Sequence, residues 1–256
     1  MHGWDQLPFL IAHRGFSSRA PENTLAAFES ALDAGAEVLE CDVQMSRDGA
    51  PVVMHDPKVD RTTDGRGAVR GLAWTEIRDL DAGYPARFGA AFSGQRVPRL
   101  EELFDLARGR ASVFVEIKPE ALADSSGGIE ASVVEAARRT GMMEAVGALS
   151  FAPRSLQRVR QAAPGFPLGL VFRWWRQRRL VAETLEAGAD YLVAYTPRLF
   201  ADPSIVARAH AAGLRVGAYV ADTEEHLGGL LHLGVDGVAT NCVGDLLPAF
   251  HRAIGR

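Results

Sequence analysis

The chain repeats one local pattern of hydrophobic and polar positions: a helical stretch ends at a glycine and is followed by a short β-branched run. Gly35, Gly188, Gly213 and Gly234 each stand at such a junction. Glycine readily adopts the left-handed conformation that ends a helix, so the run after it is the next strand. The pattern predicts eight strands, which start near Phe9, Val38, Val113, Val146, Leu168, Tyr191, Val216 and Gly237.

Eight successive βα units in 256 residues predict an α/β fold. Their number and the chain length favour a (β/α)8 TIM barrel, with a doubly wound open sheet as the alternative. One interval is anomalous, because the predicted starts at Val38 and Val113 are 75 residues apart. The excess lies at about residues 57–99 and has one helical piece near residues 75–80. We therefore predict one barrel domain over residues 1–256, with a small lobe inserted after the second strand.

Composition narrows the class of protein. With 47% hydrophobic and 23% charged residues the chain is neither disordered nor membranous, and its net charge of -4 lacks the basic excess of a nucleic-acid binder. Two cysteines, Cys41 and Cys242, are too few for a disulfide scaffold. The first residues show no signal peptide. We expect a cytoplasmic protein with a small-molecule partner, without nucleic acid or stable membrane insertion; the oligomeric state does not follow from the sequence.

Charged and polar side chains stand at the C-terminal ends of the first three predicted strands. They are His13 and Arg14 in the first, Glu40 and Asp42 in the second, and Glu116 and Lys118 in the third. In a TIM barrel these ends form the catalytic face, and burying such charges unpaired would cost several kcal/mol each. A non-functional ion pair is the alternative for Glu116 and Lys118. The set is therefore predicted to converge at one end of the barrel.

The segment after the second strand is predicted to add an imidazole to this set. It resembles a hairpin folded at Asp48-Gly49, a favoured two-residue turn. That turn places Arg47 opposite Ala50 and therefore Asp42 opposite His55, with their Cβ atoms about 5 Å apart. A three-residue loop would break this register.

The predicted cluster suits phosphodiester cleavage. Carboxylate oxygens favour a hard divalent cation such as Mg²⁺ or Ca²⁺ rather than zinc. An arginine and a lysine beside the cation would bind a phosphate, and two histidines could supply a general acid and a general base near neutral pH. The sequence does not assign which histidine is the base, nor whether water or a substrate hydroxyl attacks.

The stretch from Ala12 to Gly67 contains the elements HRG, PENT, E-x-D, HD and RTTDG, and VPRLEELFDL and VFVEIKP follow in the same order. These motifs resemble the glycerophosphodiester phosphodiesterases. The resemblance implies a barrel with a small insertion and metal-dependent hydrolysis of glycerophosphodiesters to glycerol 3-phosphate and an alcohol. It implies metal ligands, an acid–base pair and phosphate-binding cations, which are Glu40, Asp42 and Glu116; His13 and His55; and Arg14 and Lys118, respectively.

Further substrate-pocket candidates are Glu22, Phe151 and Tyr219. The resemblance weakens after residue 150. Tyr219 stands where family members commonly have Trp, and it is followed by Val220-Ala221-Asp222 in place of Thr-Val-Asn. Near the last strand, Thr240-Asn241-Cys242-Val243 replaces Thr-Asp-Xaa-Pro. These departures leave the chemistry intact and the substrate open.

Three alternatives follow from single features. Trp174 and Trp175, within the stretch RWWRQRR, suggest a lysophospholipase D that acts on lipid-tailed diesters. Lys118 could form a Schiff base, although the neighbouring carboxylates favour its protonated, non-nucleophilic form. A barrel that binds a phosphodiester without cleaving it is the third. Asn23, in PENT, is predicted to be the N-cap of the following helix.

Overall fold

The computed structural model describes residue 4 and residues 7–118, 128–173 and 179–256. Nine strands form one sheet in the order β1-β9-β8-β7-β6-β5-β4-β2-β3, and β1 also pairs with β2. The strands are β1 (Phe9–His13), β2 (Val38–Met45), β3 (Pro51–Val53), β4 (Ser112–Ile117), β5 (Val146–Ser150), β6 (Leu168–Phe172), β7 (Tyr191–Tyr195), β8 (Arg215–Tyr219) and β9 (Gly237–Thr240).

Eight of these strands are parallel and close into a barrel, because β1 pairs with both β2 and β9. Each starts within one residue of its predicted position. The TIM-barrel prediction is therefore confirmed, and the open-sheet alternative is wrong. The short strand β3 is antiparallel to β2.

The helices lie outside the strands, and the apolar faces of those around the barrel pack with strand residues in the larger of the barrel's two buried clusters. They are α1 (Leu25–Asp33), α2 (Trp74–Ile77), α3 (Pro85–Phe88), α4 (Leu100–Ala107), α5 (Ile129–Arg139), α6 (Pro153–Ala162), α7 (Leu180–Glu186), α8 (Thr196–Ala201), α9 (Ser204–Ala211), α10 (Glu224–His232) and α11 (Val243–Ile254). None of these helices, within the described ranges, is long and apolar enough to cross a membrane.

Helix α1 begins one residue later than the sequence suggests. Thr24 is its N-cap, and the Thr24 hydroxyl accepts a hydrogen bond from the backbone N–H of Ala27. The prediction that Asn23 caps this helix is wrong. Asn23 has φ +59°, a left-handed conformation that asparagine tolerates better than most residues, and its side chain points elsewhere.

The hairpin between β2 and β3 has a three-residue loop. Val43 is opposite Val53, and the backbone N–H of Ser46 donates to the carbonyl oxygen of Ala50. Gly49 adopts φ +82°, as the left-handed position of a three-residue hairpin loop requires. The predicted pairing of Asp42 with His55 is therefore wrong by one residue.

The chain between β3 and α4 contains a short 3₁₀ helix (Val69–Gly71), α2 and α3. Its buried side chains pack on one another and on β3, in a cluster separate from the barrel's two clusters. Ile77 of α2 is fully buried at the centre of this cluster. We call residues 57–99 the lobe. Because this apolar cluster includes Val52 of β3, the lobe packs against the hairpin that follows β2.

Candidate active site

Strand register brings the acidic side chains together. In the parallel pairing of β1 with β2, His13 is next to Glu40. In the pairing of β2 with β4, Asp42 is next to Glu116. Alternate residues of a strand point to the same side, so Glu40 and Asp42 share the barrel interior. All three carboxylates are buried, with Asp42 fully so.

A sharp turn after β1 points Arg14 at these carboxylates. Arg14 has φ +59°, an uncommon conformation for a side chain of this size. Its backbone N–H donates to Oε2 of Glu40 at 3.0 Å, and its Nε lies 2.9 Å from Oδ2 of Asp42. Gly15 follows, and a Cβ there would lie 2.5 Å from the carbonyl carbon of Ala27. Only glycine fits this turn without moving α1.

Asp42 is the most heavily paired carboxylate of the cluster. Its Oδ1 lies 2.7 Å from Nζ of Lys118, and its Oδ2 accepts a hydrogen bond from the Asn23 amide at 2.8 Å. Burial raises the pKa of Asp42, but Arg14 and Lys118 outweigh burial and hold it well below its usual value. Asp42 is therefore ionised at any pH at which the protein is used.

The pKa of Glu40 shifts in the direction opposite to that of Asp42. Burial raises the pKa of Glu40 well above its usual value, and the charges of Asp42 and Glu116 raise it further. Its Oε1 is buried and has no hydrogen-bond partner among the described residues. Three buried carboxyl groups thus face two cations, Arg14 and Lys118, and the charge that the cations do not balance raises the pKa of Glu40.

One oxygen from each of Glu40, Asp42 and Glu116 lies within 4.8 Å of the other two. This spacing, the all-oxygen donor set and the unpartnered Glu40 oxygen fit a hard divalent cation. The residues present are therefore suited to hold such an ion.

Lys118 bridges two of the carboxylates, because its Nζ contacts both Asp42 and Glu116. Burial lowers the pKa of Lys118, but the two carboxylates outweigh it and raise the pKa above its usual value. A lysine held protonated is a poor nucleophile, which argues against the Schiff-base alternative.

His13 is fixed by the opposite end of the chain. Its Nδ1 lies 2.9 Å from Oδ1 of Asn241, which follows β9, and its Nε2 lies 4.0 Å from Oε2 of Glu40. Burial and the charge of Arg14 lower the pKa of His13 to about 4. The ring is therefore neutral near pH 7.

His55 is held by Asp56, which in turn contacts Arg61 of the lobe. Its Nδ1 lies 2.6 Å from Oδ1 of Asp56, and Asp56 pairs with Arg61 at 2.6 Å. Arg61 also contacts Glu22 at 2.8 Å, and Glu22 contacts Arg14 at 2.9 Å. A continuous chain of charged contacts therefore joins His55 to the barrel residues.

Neighbouring charges both raise and lower the pKa of His55. Burial lowers the pKa of His55 and Asp42 raises it, while Arg14 and Lys118 lower it further. The net shift is downward. The side-chain amide of Gln44 in β2 donates to the backbone carbonyl oxygen of His55 at 3.1 Å, so His55 lies beside β2 even though the predicted strand register is wrong.

The two remaining pocket candidates, Tyr219 and Phe151, lie in different surroundings. Tyr219 lines an apolar cavity inside the barrel together with His13, Glu40 and Glu116. Its hydroxyl donates to the carbonyl oxygen of Phe172 at 2.6 Å. Phe151 does not line that cavity; its ring lies under the guanidinium of Arg173 at 5.0 Å. Trp174 and Trp175 lie outside the described residues.

Sequence reasoning missed several residues that contact the cluster: Asn23, Asp56, Arg61, Asp222 and Asn241. The HD and PENT motifs contain Asp56 and Asn23, so a signal existed for both. Asp222 and Asn241 are two of the departures from the family pattern, and they are hydrogen-bonded to each other at 2.7 Å.

The model of the glycerophosphoryl diester phosphodiesterase family matches residues 13–245. The chain belongs to this family. A glycerophosphodiester phosphodiesterase of Caldanaerobacter subterraneus subsp. tengcongensis is 34% identical over 238 residues, which are 91% of this chain and 93% of that protein. The family resemblance predicted from the motifs is therefore confirmed.

Solved structures of glycerophosphodiester phosphodiesterases share the fold. The enzyme of Agrobacterium tumefaciens superposes with a TM-score of 0.78 at 30% identity, covering 93% of this chain and all of that one. A phosphodiesterase of Oleispira antarctica, solved in complex with the product sn-glycerol-3-phosphate, superposes with a TM-score of 0.82 at 27% identity, covering 95% of this chain and 97% of that one.

Proposed function

We propose that this chain hydrolyses glycerophosphodiesters to glycerol 3-phosphate and an alcohol, as one catalytic domain in which the lobe supports His55 through the contact of Arg61 with Asp56. The observation that carries the proposal is the convergence of three buried carboxylates, two cations and two imidazoles at one end of a barrel of this family. Phosphodiester cleavage needs charge neutralisation, a deprotonated nucleophile and a protonated leaving oxygen.

In this proposal each group has one role. Glu40, Asp42 and Glu116 would hold Mg²⁺ or Ca²⁺, and the bound ion would neutralise charge on the phosphate oxygens. Arg14 and Lys118 would bind the same phosphate as permanent cations. This division uses every charged group of the cluster and leaves the two histidines for proton transfer.

The two histidines differ in ways that support different roles in this proposal. Neutral His13, with its Nε2 directed toward Glu40, is the general base that takes the proton of the attacking hydroxyl. His55 is the general acid, because the Asp56 carboxylate at its Nδ1 stabilises the protonated ring. The attacking oxygen is that of water, or that of the glycerol 2-hydroxyl, which displaces the alcohol and forms a cyclic phosphate that water then opens to glycerol 3-phosphate. A substrate that lacks the 2-hydroxyl is cleaved only in the first case.

A panel of substrates and metals tests the proposal. Purified protein is incubated with glycerophosphocholine, glycerophosphoethanolamine, glycerophosphoinositol and lysophosphatidylcholine, and released glycerol 3-phosphate and free alcohol are measured. We expect hydrolysis of at least one glycerophosphodiester, its loss with EDTA and its return with Mg²⁺, Ca²⁺ or Mn²⁺. Cleavage of the lysolipid alone would favour the lysophospholipase D alternative.

Variants complete this test. Glu116→Gln removes a carboxylate charge from the cluster and is expected to lower the rate by at least about 100-fold. Glu135→Gln, on the exposed surface of α5, is the matched control and should keep full activity. Absence of hydrolysis for every diester with every metal would leave a barrel that only binds its ligand.

A further inference from the structure

We propose that Asp222 and Asn241 form a positioning pair that holds His13 in a single tautomer, with the proton on Nδ1 and the lone pair on Nε2. The inference rests on the proposed function, because it gives the pair its purpose through His13. It concerns a different set of contacts, which belong to the loops after β8 and β9.

The hydrogen-bond pattern fixes the orientation of the Asn241 amide. An ionised aspartate only accepts hydrogen bonds, and Oδ2 of Asp222 lies 2.7 Å from Nδ2 of Asn241. Turning the amide over would place its oxygen against the carboxylate. The amide nitrogen therefore faces Asp222, and the amide oxygen faces His13.

The amide orientation in turn fixes the proton of His13. Because Oδ1 of Asn241 accepts a hydrogen bond, the Nδ1 of His13 at 2.9 Å must donate it. A neutral imidazole carries one proton, so Nε2 is left as an acceptor. That nitrogen is directed toward the carboxylate cluster, 4.0 Å from Glu40.

Asp222 is itself held in place by hydrogen bonds from Thr240 and Asn241, at the end of β9 and in the loop after it. Its Oδ1 accepts from the backbone N–H of Asn241 at 2.8 Å and from the Thr240 hydroxyl at 3.0 Å. The Ser17 hydroxyl lies 2.9 Å from Oδ1 of Asn241, on the His13 side. These contacts join the loops after β1, β8 and β9, and the contact of Asp222 with Nδ2 of Asn241 is the one that fixes the amide orientation.

This arrangement makes an exchange of the two residues a sharp test. In the double variant Asp222→Asn with Asn241→Asp, the amide at 222 donates to the carboxylate at 241, which still accepts from His13. Its oxygen still accepts from the backbone N–H of residue 241. Each single change instead places two acceptors or two donors face to face.

We expect Asn241→Asp alone to place two carboxylates in contact and to lower kcat by about 10- to 100-fold, with a smaller change in KM. Asp222→Asn alone is expected to lower kcat several-fold. The double variant should recover kcat to within about threefold of the wild type. Asp245→Asn, which removes an exposed carboxylate paired with Arg19 nearby, is the control and should not change kcat.

A second readout does not depend on turnover. Nitrogen-15 NMR of histidine-labelled protein, with the His13 signal assigned by its loss in His13→Ala, distinguishes the two neutral tautomers. We expect the Nδ1–H form in the wild type and in the double variant, and a mixture in Asn241→Leu. Circular dichroism confirms that each variant is folded.

Two results would overturn the inference: wild-type kcat with an unchanged tautomer in Asn241→Leu, or a double variant no more active than the weaker single variant. A failure of the proposed function has a different signature. If His13→Ala keeps full activity, the role of His13 in the reaction is wrong, whereas the tautomer measurement still reports on the pair.

Discussion

His13 and His55 serve one cluster, but different parts of the molecule hold them. His13 ends a barrel strand, and its Nδ1 meets a neutral amide that follows the last strand. His55 follows the hairpin outside the barrel, and its Nδ1 meets a carboxylate that pairs with Arg61 of the lobe. Identical side chains thus have partners of different charge: a neutral amide beside His13, and beside His55 a carboxylate that partly opposes the lowering of the His55 pKa by burial.

The difference also concerns exposure. The His13 side chain is 17% exposed and that of His55 is 34% exposed. His13 is thus the less accessible of the two rings, and His55 the more accessible one. In the proposed mechanism, the contact of Arg61 with Asp56 ties the lobe to the proton transfer at His55.

The largest expected effect comes from removing either ring. His13→Asn and His55→Asn should each lower kcat by about 10²- to 10⁴-fold, because each removes one proton-transfer group. Steady-state rates with glycerophosphocholine and with a diester of an acidic phenol separate the two. The phenolate needs no protonation, so we expect His55→Asn to be largely rescued with this substrate and His13→Asn not. Equal loss with both substrates would contradict the assignment.

Asp56→Asn tests the charged partner of His55. An amide no longer stabilises the protonated ring, so the pKa of His55 falls further and the alkaline limb of the kcat profile moves to lower pH. We expect kcat at pH 7.5 to drop by about tenfold. Asp79→Asn, an exposed change in the lobe, should leave the pH profile in place.

A cavity in the lobe should affect activity more than a cavity in the barrel wall. Ile77 in the lobe and Ile205 in α9 are both fully buried, so replacement of either with alanine should lower the free energy of unfolding by about 2–4 kcal/mol. Urea unfolding measures this loss. We expect Ile77→Ala also to lower kcat several-fold through His55, and Ile205→Ala to change kcat less than twofold. The reverse order would show that the lobe does not position His55.

The smallest effect concerns acid stability of the lobe. The backbone N–H groups of Gly94 and Gly83 donate to Asp81 and lower its pKa below 3.8. The ionised form is thus favoured by folding, and its contribution is present above about pH 4 and lost as the pH falls through the folded-state pKa. Asp81→Asn should lower the free energy of unfolding by less than about 1 kcal/mol at pH 7. The difference should shrink at pH 3, as measured by urea unfolding.

The fold could be predicted because its signals are local. A glycine after each helix and a β-branched run after the glycine locate the strands, and strand number and chain length favour the barrel. The hairpin shows where such reasoning fails. Asp48-Gly49 fits two loop lengths, and in the structure Gly49 takes the left-handed position of the three-residue loop while the backbone N–H of Ala50 donates to the Ser46 hydroxyl.

Some residues of the candidate site could likewise be predicted from the sequence, and others could not. Glu40, Asp42 and Glu116 were predictable, because a carboxylate in a strand of otherwise apolar residues must be explained. Asn23 and Asn241 were not, because an asparagine in a loop is ordinarily a turn or cap residue. Only the fold reveals that Asn241 lies beside a histidine 228 positions earlier. The catalytic and binding roles assigned to these residues stay predictions.

Closure of the barrel by the pairing of β1 with β9 has a consequence for synthesis of the protein. Every acidic residue of the cluster has left the ribosome long before β9, whereas the orientation of His13 waits for Asn241. A nascent chain can therefore gather its carboxylates early, yet it acquires a correctly oriented base only when its final strand completes the sheet. Orientation of His13 by Asn241 would thus wait for the emergence of β9, the strand that closes the barrel.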